Sequence, residues 1–300
     1  QMPHESAISS VSFSSDGNHA ITVTKDDVWI WDVAEWKEVR HFVYEDSISF
    51  IDVSSDGRYI IFAETNNIVQ ILNVADGTEI LSLPSNGGIV SASLSIDNQY
   101  VVLGSRNNEI SVWQLADGKG IVRIPYKYSI YSVAFSPDGQ YVVSSGCRQL
   151  DDLGNCEVSI VHAWNARNGK EISQLLLKGF PSFTKISPNG EYAVSLGSKD
   201  MAITVWNPWS GKEVAHLPIE NIAQSLEFSP DGKFIVTAGE DKTARIWDAA
   251  TGAEVRQLAG HTQEVWYAGF SHTGDTIVTT SFDGTVRLWP ATITSALAKA

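Results

Sequence analysis

Short apolar runs alternate with polar turns along the whole chain, and residues 226–248 show the pattern most clearly. A first apolar run ends at Phe228, and the Ser-Pro-Asp-Gly sequence at 229–232 follows it. Proline fixes one backbone angle of such a turn, and glycine adopts a conformation that other residues resist. A second turn at 241–242 precedes a last apolar run that ends at Trp247. The pattern predicts three short strands joined by tight turns.

This unit occurs seven times. Its turn residue is a glycine, or an asparagine in the third unit, at Gly17, Gly57, Asn98, Gly139, Gly190, Gly232 and Gly274. Its last apolar run ends in a large residue at Trp31, Leu72, Trp113, Trp164, Trp206, Trp247 and Trp289. The large residues that end these last apolar runs are 41, 41, 51, 42, 41 and 42 positions apart. Because one such ribbon cannot cover both of its apolar faces, neighbouring units must cover each other.

A period of about 40–45 residues with four strands per unit is typical of a WD40 propeller blade. The chain resembles the WD40-repeat family from end to end, most closely at 246–248 (Ile-Trp-Asp) and 260–289. Gly-His precedes only the seventh unit, and Trp-Asp ends only the first and sixth, so the repeats diverge in part, as in bacterial-type members. The resemblance implies an all-β, seven-bladed β-propeller with four antiparallel strands per blade. It also implies a single domain over residues 1–300.

Each unit is expected to contribute an inner strand a, then strands b and c, and an outer strand d. Charged outer strands are predicted at 34–42, 76–83, 117–124, 168–175, 210–217 and 251–258. Charge on an edge strand discourages its pairing with another chain. The seventh unit lacks this pattern, and its outer strand is predicted in line at 295–300. A short helix is the alternative there, since Ala, Leu and Lys favour helices.

The fourth unit carries about ten extra residues at 146–157, which contain both cysteines of the chain, Cys147 and Cys156. If these residues extend the b–c hairpin, the two thiols lie within reach of a disulfide. The alternative is two separate free thiols. The redox state of the compartment decides whether the disulfide forms. Two thiols without a nearby histidine pair do not form a zinc site. A calcium site without EF-hand spacing is an alternative, formed by Asp151, Asp152 and Glu157.

The chain has 300 residues and a net charge of −14, with no run of Lys and Arg. This balance argues against nucleic acid and against an anionic membrane surface. No stretch approaches the 18 apolar residues of a membrane-spanning helix. The sequence shows no signal peptide, but Gln1 suggests a processed chain or an excised fragment. We expect a cytoplasmic monomer without cofactor or metal, or an extracytoplasmic protein if the cysteines are bonded.

None of the seven histidines forms a pair at metal-ligand spacing or belongs to a nucleophile motif. The glycine-rich turns lie between strands, so they are not phosphate loops, which open a helix. A general base at His261 is one interpretation. The resemblance implies instead a structural hydrogen-bonded set of His, Ser or Thr, Asp and Trp. The matching residues are His261, Thr279, Asp283 and Trp289, and a second set is His4, Thr22, Asp26 and Trp31.

The resemblance also implies a non-catalytic platform for protein–protein interaction. Partners in this family contact residues four and six positions before the end of strand a, which are here Trp266, Glu264, Tyr131 and Phe180. They also contact the residue before the turn Asp, which gives Phe282, Glu240, Lys199 and Arg106. Aromatic residues and Arg dominate binding energy at interfaces. We therefore expect a protein or peptide partner, and a basic one given the acidic charge.

Two further functions follow from the same resemblance. Bacterial-type proteins similar to this chain join such propellers to a kinase or an ATPase, which implies a sensing or targeting module of a larger chain. The alternative is a propeller enzyme or a small-ligand binder that uses the central channel. An enzyme would need acid, base or metal ligands at the inner ends of several strands a, where the sequence places Ser, Val and Ala.

Overall fold

A computed structural model describes residues 10–13, 19–24, 27–35, 37–43, 48–54, 57–64, 67–85, 87–197, 202–219, 223–271 and 273–291. These residues form β-strands joined by turns, with no helix in the ranges given. Over the same ranges there is accordingly no helix long and apolar enough to cross a membrane.

The strands form seven sheets in which each strand lies beside the next one along the chain. Blade one contains β1 (Ser10–Phe13), β2 (His19–Val23), β3 (Asp27–Asp32) and β4 (Lys37–Val43). Blade two contains β5 (Ile48–Val53), β6 (Tyr59–Glu64), β7 (Ile68–Asn73) and β8 (Glu79–Pro84). Blade three contains β9 (Ile89–Leu94), β10 (Tyr100–Ser105), β11 (Glu109–Gln114) and β12 (Gly120–Pro125).

The remaining blades follow the same order. Blade four contains β13 (Ser129–Phe135), β14 (Tyr141–Leu150), β15 (Cys156–Asn165) and β16 (Glu171–Lys178). Blade five contains β17 (Pro181–Ile186), β18 (Ala193–Gly197), β19 (Ala202–Asn207) and β20 (Lys212–Pro218). Blade six contains β21 (Ala223–Phe228), β22 (Phe234–Gly239), β23 (Thr243–Asp248) and β24 (Glu254–Ala259). Blade seven contains β25 (Val265–Phe270), β26 (Thr276–Ser281) and β27 (Val286–Pro290).

The predicted fold class is confirmed, because the seven sheets are the blades of an all-β propeller. The outer strand predicted for blade seven at 295–300 lies outside the described residues. The chain forms two compact units, residues 1–148 with 163–171 and residues 149–162 with 172–300. A single domain over the whole chain stays a prediction.

Strands b and c are buried on both faces, as their continuous apolar sequences predict. In β22, Ile235 packs in a cluster with Val194 and Val205 of blade five. The next residue, Val236, packs in a different cluster with Ile277 and other residues of blade seven. Successive residues of a strand point to opposite faces, so one strand of blade six contributes to the packing of both neighbours.

The outer strands begin two or three residues later than predicted. In blade six the predicted strand starts at residue 251, whereas β24 starts at Glu254. Gly252 has a φ of 71° and donates its N–H to the carbonyl of Asp248 at 2.8 Å. The Asp248 carboxylate also accepts the N–H of Thr251 at 2.8 Å. These bonds form the turn between strands c and d, so the first residues of the repeated pattern are turn residues.

The extra residues of blade four lengthen its b–c hairpin, since β14 and β15 have ten residues each. Both cysteines of the chain are disulfide-bonded. The Asp151 carboxylate accepts the N–H groups of Leu153 at 3.0 Å and Asn155 at 2.8 Å. These bonds close the hairpin tip. The calcium alternative is therefore not supported, because the described residues contain no group of three or more His, Cys, Asp or Glu arranged for a metal.

Candidate functional site

Strand a of blades two to seven carries a β-bulge near the b–c turn, and we call this end of each blade its upper end. In β25 the pairing with β26 shifts between Val265 and Tyr267, which makes Trp266 the extra residue. Gln224 in β21 and Tyr131 in β13 occupy the same position. A bulge turns its side chain away from the direction set by the strand. The positions four residues before the end of strand a, where the sequence predicts partner binding, are thus bulge residues.

Trp266 and Phe282 contact each other at the upper end of blade seven. Their ring centroids are 5.3 Å apart and the rings are inclined by 63°, an edge-to-face arrangement. Their exposed fractions are 53% and 57%. The N–H of Phe282 donates to the carbonyl of Glu264 at 3.1 Å, which ties the b–c turn to the segment before strand a. The two aromatic residues that the sequence placed at one end of the blade therefore form one exposed apolar surface.

A carboxylate is held in place at the upper end of the neighbouring blade. Gln224 Nε2 donates to Glu240 Oε1 at 3.0 Å. In blade six, Gln224 occupies the position equivalent to Trp266, and Glu240 occupies the position equivalent to Phe282. Ser225 Oγ accepts the N–H of Ala268 at 2.9 Å, which joins the inner strands of the two blades beside these pairs. We call Trp266, Phe282, Glu264 and Glu240 the blade-seven site. Gln224 was not among the predicted site residues, although it precedes Phe228 by the same four residues as Trp266 precedes Phe270.

The other predicted binding residues lie on other blades. Tyr131 is the half-buried bulge residue of blade four, and Arg106 is exposed in the b–c turn of blade three. Phe180 is exposed, and the N–H of the preceding Gly179 donates to the carbonyl of Glu157 in the blade-four hairpin at 2.8 Å. Lys199 lies outside the described residues. The structure thus brings Trp266, Phe282 and Glu264 together in blade seven. Glu240 lies on blade six, whose inner strand is joined to that of blade seven by the Ser225–Ala268 bond.

The structural hydrogen-bonded set is assembled around His261. Its Nδ1 lies 2.9 Å from Asp283 Oδ2, and its Nε2 lies 2.7 Å from Thr279 Oγ1. Trp289 Nε1 donates to the same Thr279 oxygen at 2.8 Å. Both His261 nitrogens are engaged and its side chain is fully buried. This geometry supports a structural role and leaves no ring nitrogen for a substrate. Of the second set, Trp31 Nε1 donates to Thr22 Oγ1 at 2.7 Å, and His4 and Asp26 lie outside the described residues.

Tyr126 takes the place of the histidine in blade four. It precedes Phe135 by nine residues, as His261 precedes Phe270. Its hydroxyl is hydrogen-bonded to Ser144, whose Oγ also accepts Trp164 Nε1–H at 2.9 Å. Burial raises the pKa of the Tyr126 hydroxyl, which stays protonated at neutral pH. The histidine pattern of the family does not reveal this substitution in the sequence, whereas the nine-residue offset does.

Asp283 should make the stability of the fold depend on pH. The Thr285 hydroxyl, the largest contribution, together with the Thr262 N–H and His261, holds the pKa of Asp283 well below its usual range. The ionised group therefore stabilises the fold above the usual carboxyl pKa of about 4, and this is lost as pH falls through the lower folded value. We expect Asp283→Asn to lower the urea midpoint at pH 7, and the difference from wild type to shrink below about pH 4.

A charge-matched control for this measurement is Asp152→Asn, at the exposed tip of the blade-four hairpin. It should leave the midpoint unchanged at every pH. Equal midpoints for Asp283→Asn and wild type across the pH series would show that the hydrogen-bonded set adds no stability.

The inner strands of blades five and six carry a charged pair that the sequence analysis did not expect. Lys185 in β17 donates to Glu227 in β21. Burial, and then the charge of Glu227, raise the pKa of the nearby Tyr267 hydroxyl. The ammonium and the carboxylate engage each other, so the arrangement offers neither a free general base nor a free acid.

Comparison with known families agrees with the propeller fold. The profile described as the NWD2 C-terminal beta-propeller matches residues 2–188, more than half of the chain. The WD domain, G-beta repeat profile matches residues 214–248 and 252–290. The second of these repeats contains His261, Trp266 and Phe282. A search of curated proteins found no match.

Proposed function

The chain belongs to the NWD2 C-terminal β-propeller family and contains WD40 repeats, and on that premise we propose that it binds another protein through its blade-seven site. WD40 propellers generally serve as protein-interaction scaffolds and are typically not enzymes. In this proposal the chain is a non-catalytic module, and the blades are the rigid support of the site. It serves as a sensing or targeting module of a longer protein.

The observation that carries the proposal is the exposed contact between Trp266 and Phe282. More than half of the accessible surface of each residue is exposed in the free protein. Large apolar side chains that lie side by side at a surface are typical of interaction sites. Aromatic side chains are also the most frequent hot spots in measured interfaces. The Phe282 N–H bond to Glu264 fixes the backbone under the pair, which lowers the ordering cost of binding.

The charges beside the two rings indicate the chemistry of the partner. Glu264 is exposed next to Phe282, and Glu240 is held by Gln224 on the adjacent blade. The net charge of the whole chain is also negative, at −14. A segment that places an apolar side chain beside a Lys or Arg would satisfy both parts of the site. The electrostatic part of such binding weakens as salt is added.

Affinity capture tests this proposal. Immobilised wild type is compared with Trp266→Ala/Phe282→Ala and with the control Trp209→Ala, which removes an exposed tryptophan from the c–d turn of blade five. Proteins retained by wild type and by the control, but not by the double variant, support the proposal. Retention of the same proteins by a folded double variant contradicts it and moves the site to another surface.

The disulfide bears on the compartment. Since Cys147 and Cys156 are bonded, we propose that the protein functions in an oxidising, extracytoplasmic compartment, where disulfides persist. If protein is alkylated in denaturant at cell lysis, without reductant, mass spectrometry should find no alkyl group on Cys147 or Cys156. Reduction should cost less than about 3 kcal/mol of stability, because the closed loop is short. Alkyl groups on both cysteines would contradict the assignment and favour a cytoplasmic protein.

A further inference from the structure

The upper end of blades three and four has a charge opposite to that of the blade-seven site. From its geometry we infer that it binds an anionic peptide segment of a partner protein, through phosphate or carboxylate groups. We call Arg106, Lys127 and Arg148 the basic surface. This inference is independent of the proposed function, which rests on other blades and on a cationic partner.

Arg106 is held at the b–c turn of blade three. Its N–H donates to the carbonyl of Gly88 at 2.8 Å. Its side chain also lies against Gly88, where an added Cβ would come within 3.3 Å of Arg106 Cδ. Two residues later, the carbonyl of Asn108 accepts the N–H of Tyr126 at 2.7 Å. This bond joins the turn that carries Arg106 to the loop that carries Lys127.

Lys127 and Arg148 follow on directly bonded segments. Lys127 Nζ lies 5.7 Å from the centre of the Tyr128 ring, a cation–π contact. The next residue, Ser129, pairs with Cys147 in the sheet, and Arg148 follows that cysteine. All three cations are exposed. Three hydrogen-bonded segments therefore present one cation each at the same end of two neighbouring blades.

Comparison with blade seven shows how the positive charge arises. Asp283 lies four residues after Thr279, the hydroxyl of the hydrogen-bonded set. In blade four the residue four positions after Ser144 is Arg148. Tyr126 satisfies Ser144 without a charged partner, so no carboxylate is needed at this position, which in blade four lies within β14. The position of the Asp283 carboxylate, which bonds His261 in blade seven, is thus occupied in blade four by the exposed Arg148.

The cations of the basic surface are not neutralised within the described part of the chain. None of the three forms an ion pair there. The nearest carboxylate along the strand after Arg106 is Glu109, which pairs with Arg123 at 3.4 Å. In a chain with a net charge of −14, three unpaired cations on adjoining segments produce a local positive field that attracts anions.

The side chains fit phosphate or carboxylate groups on a peptide. The planar arginine fork donates two parallel hydrogen bonds to either group, and lysine adds a point charge. A nucleic acid is disfavoured, since its binding depends on neutralising many phosphates and the rest of this chain is acidic.

Fluorescence anisotropy at low ionic strength tests the inference with three labelled Gly-Ser peptides, which carry phosphoserine, glutamate or serine at the same positions. The variant Arg106→Gln/Lys127→Gln/Arg148→Gln is compared with Lys119→Gln/Arg167→Gln/Lys170→Gln. The control removes the same charge from exposed c–d turns of the same two blades. We expect the phosphoserine or glutamate peptide to bind wild type, and the first variant to weaken that binding about tenfold or more. The control should change it less than about twofold.

The relative affinities of the phosphoserine and glutamate peptides tell which anion the surface takes. The inference is overturned if neither binds more tightly than the serine peptide, or if both variants weaken binding equally. A labelled oligothymidylate that binds more tightly than either peptide, and loses affinity in the first variant, would overturn the peptide assignment. Trp266 and Phe282 are unchanged throughout, so the result is separate from that for the blade-seven site.

Discussion

Replacing Trp266 with alanine is expected to weaken binding of the captured protein partner about thirtyfold. Truncation of an aromatic hot spot typically costs about 2 kcal/mol or more of binding free energy. Because the Trp266 ring is 53% exposed in the free protein, its removal should cost the fold only about 1 kcal/mol, mainly from the lost contact with Phe282. Biolayer interferometry with the partner on the sensor measures the first quantity, and urea unfolding measures the second.

The matched control is Trp209→Ala. Trp209 is 47% exposed and lies in the c–d turn of blade five, at the opposite end from the bulge residues. Its removal should leave the affinity unchanged. A Trp266→Ala protein that folds and binds as tightly as wild type would show that the partner does not contact this ring.

Trp206→Ala should have the largest effect on stability, a loss of about 3–5 kcal/mol. Trp206 has an exposed fraction of 0%. Its Nε1 donates to Ser195 Oγ at 3.2 Å, so truncation opens a cavity and removes a buried hydrogen bond. Urea unfolding followed by circular dichroism measures the loss. Trp209→Ala, three residues away, should cost about 1 kcal/mol or less. Equal losses in the two variants would mean that the repeated tryptophan does not anchor its blade.

The fold could be predicted from the sequence because its signals are local and repeated. The turn at Ser229 shows why: Ser229 Oγ bonds Asp231 Oδ1 at 2.6 Å and accepts the N–H of Phe234 at 2.9 Å. Gly232 adopts a φ of 73° in the same turn. A turn that depends on four successive residue types leaves a pattern that can be counted. The spacing of the large residues that end strand c, six tryptophans and Leu72, then predicted the number of blades.

The candidate site could be predicted only in part. Trp266 and Phe282 were found by their offset from strand a and from the turn Asp, and their contact follows from the bulge. Gln224 and Tyr126 were missed because their roles depend on position and not on residue type. A glutamine or a tyrosine elsewhere in a blade would carry no such meaning. The four-residue and nine-residue offsets mark both positions in the sequence, and the structure adds their partner atoms, Glu240 Oε1 and Ser144 Oγ.

The charged residues were the least predictable part. Lys185 and Glu227 are 42 residues apart and form an ion pair because inner strands of adjacent blades lie side by side. Ser91 Oγ of blade three accepts the N–H of Val133 in blade four in the same way. Contacts of this kind follow from the spacing between blades, but the sequence does not tell which of many charged residues face each other. The net charge of −14 gives no indication that three cations lie at one end of blades three and four.

The most direct test of the central claim is photo-crosslinking from the blade-seven site. A benzoylphenylalanine replaces Phe282 in one sample and Trp209 in another, and each is irradiated with the captured partner. The account predicts a crosslinked complex from position 282, with the attached partner segment containing an apolar residue beside Lys or Arg, and none from position 209. A complex that forms from position 209, or a partner that stays bound without crosslinking at position 282, would contradict it.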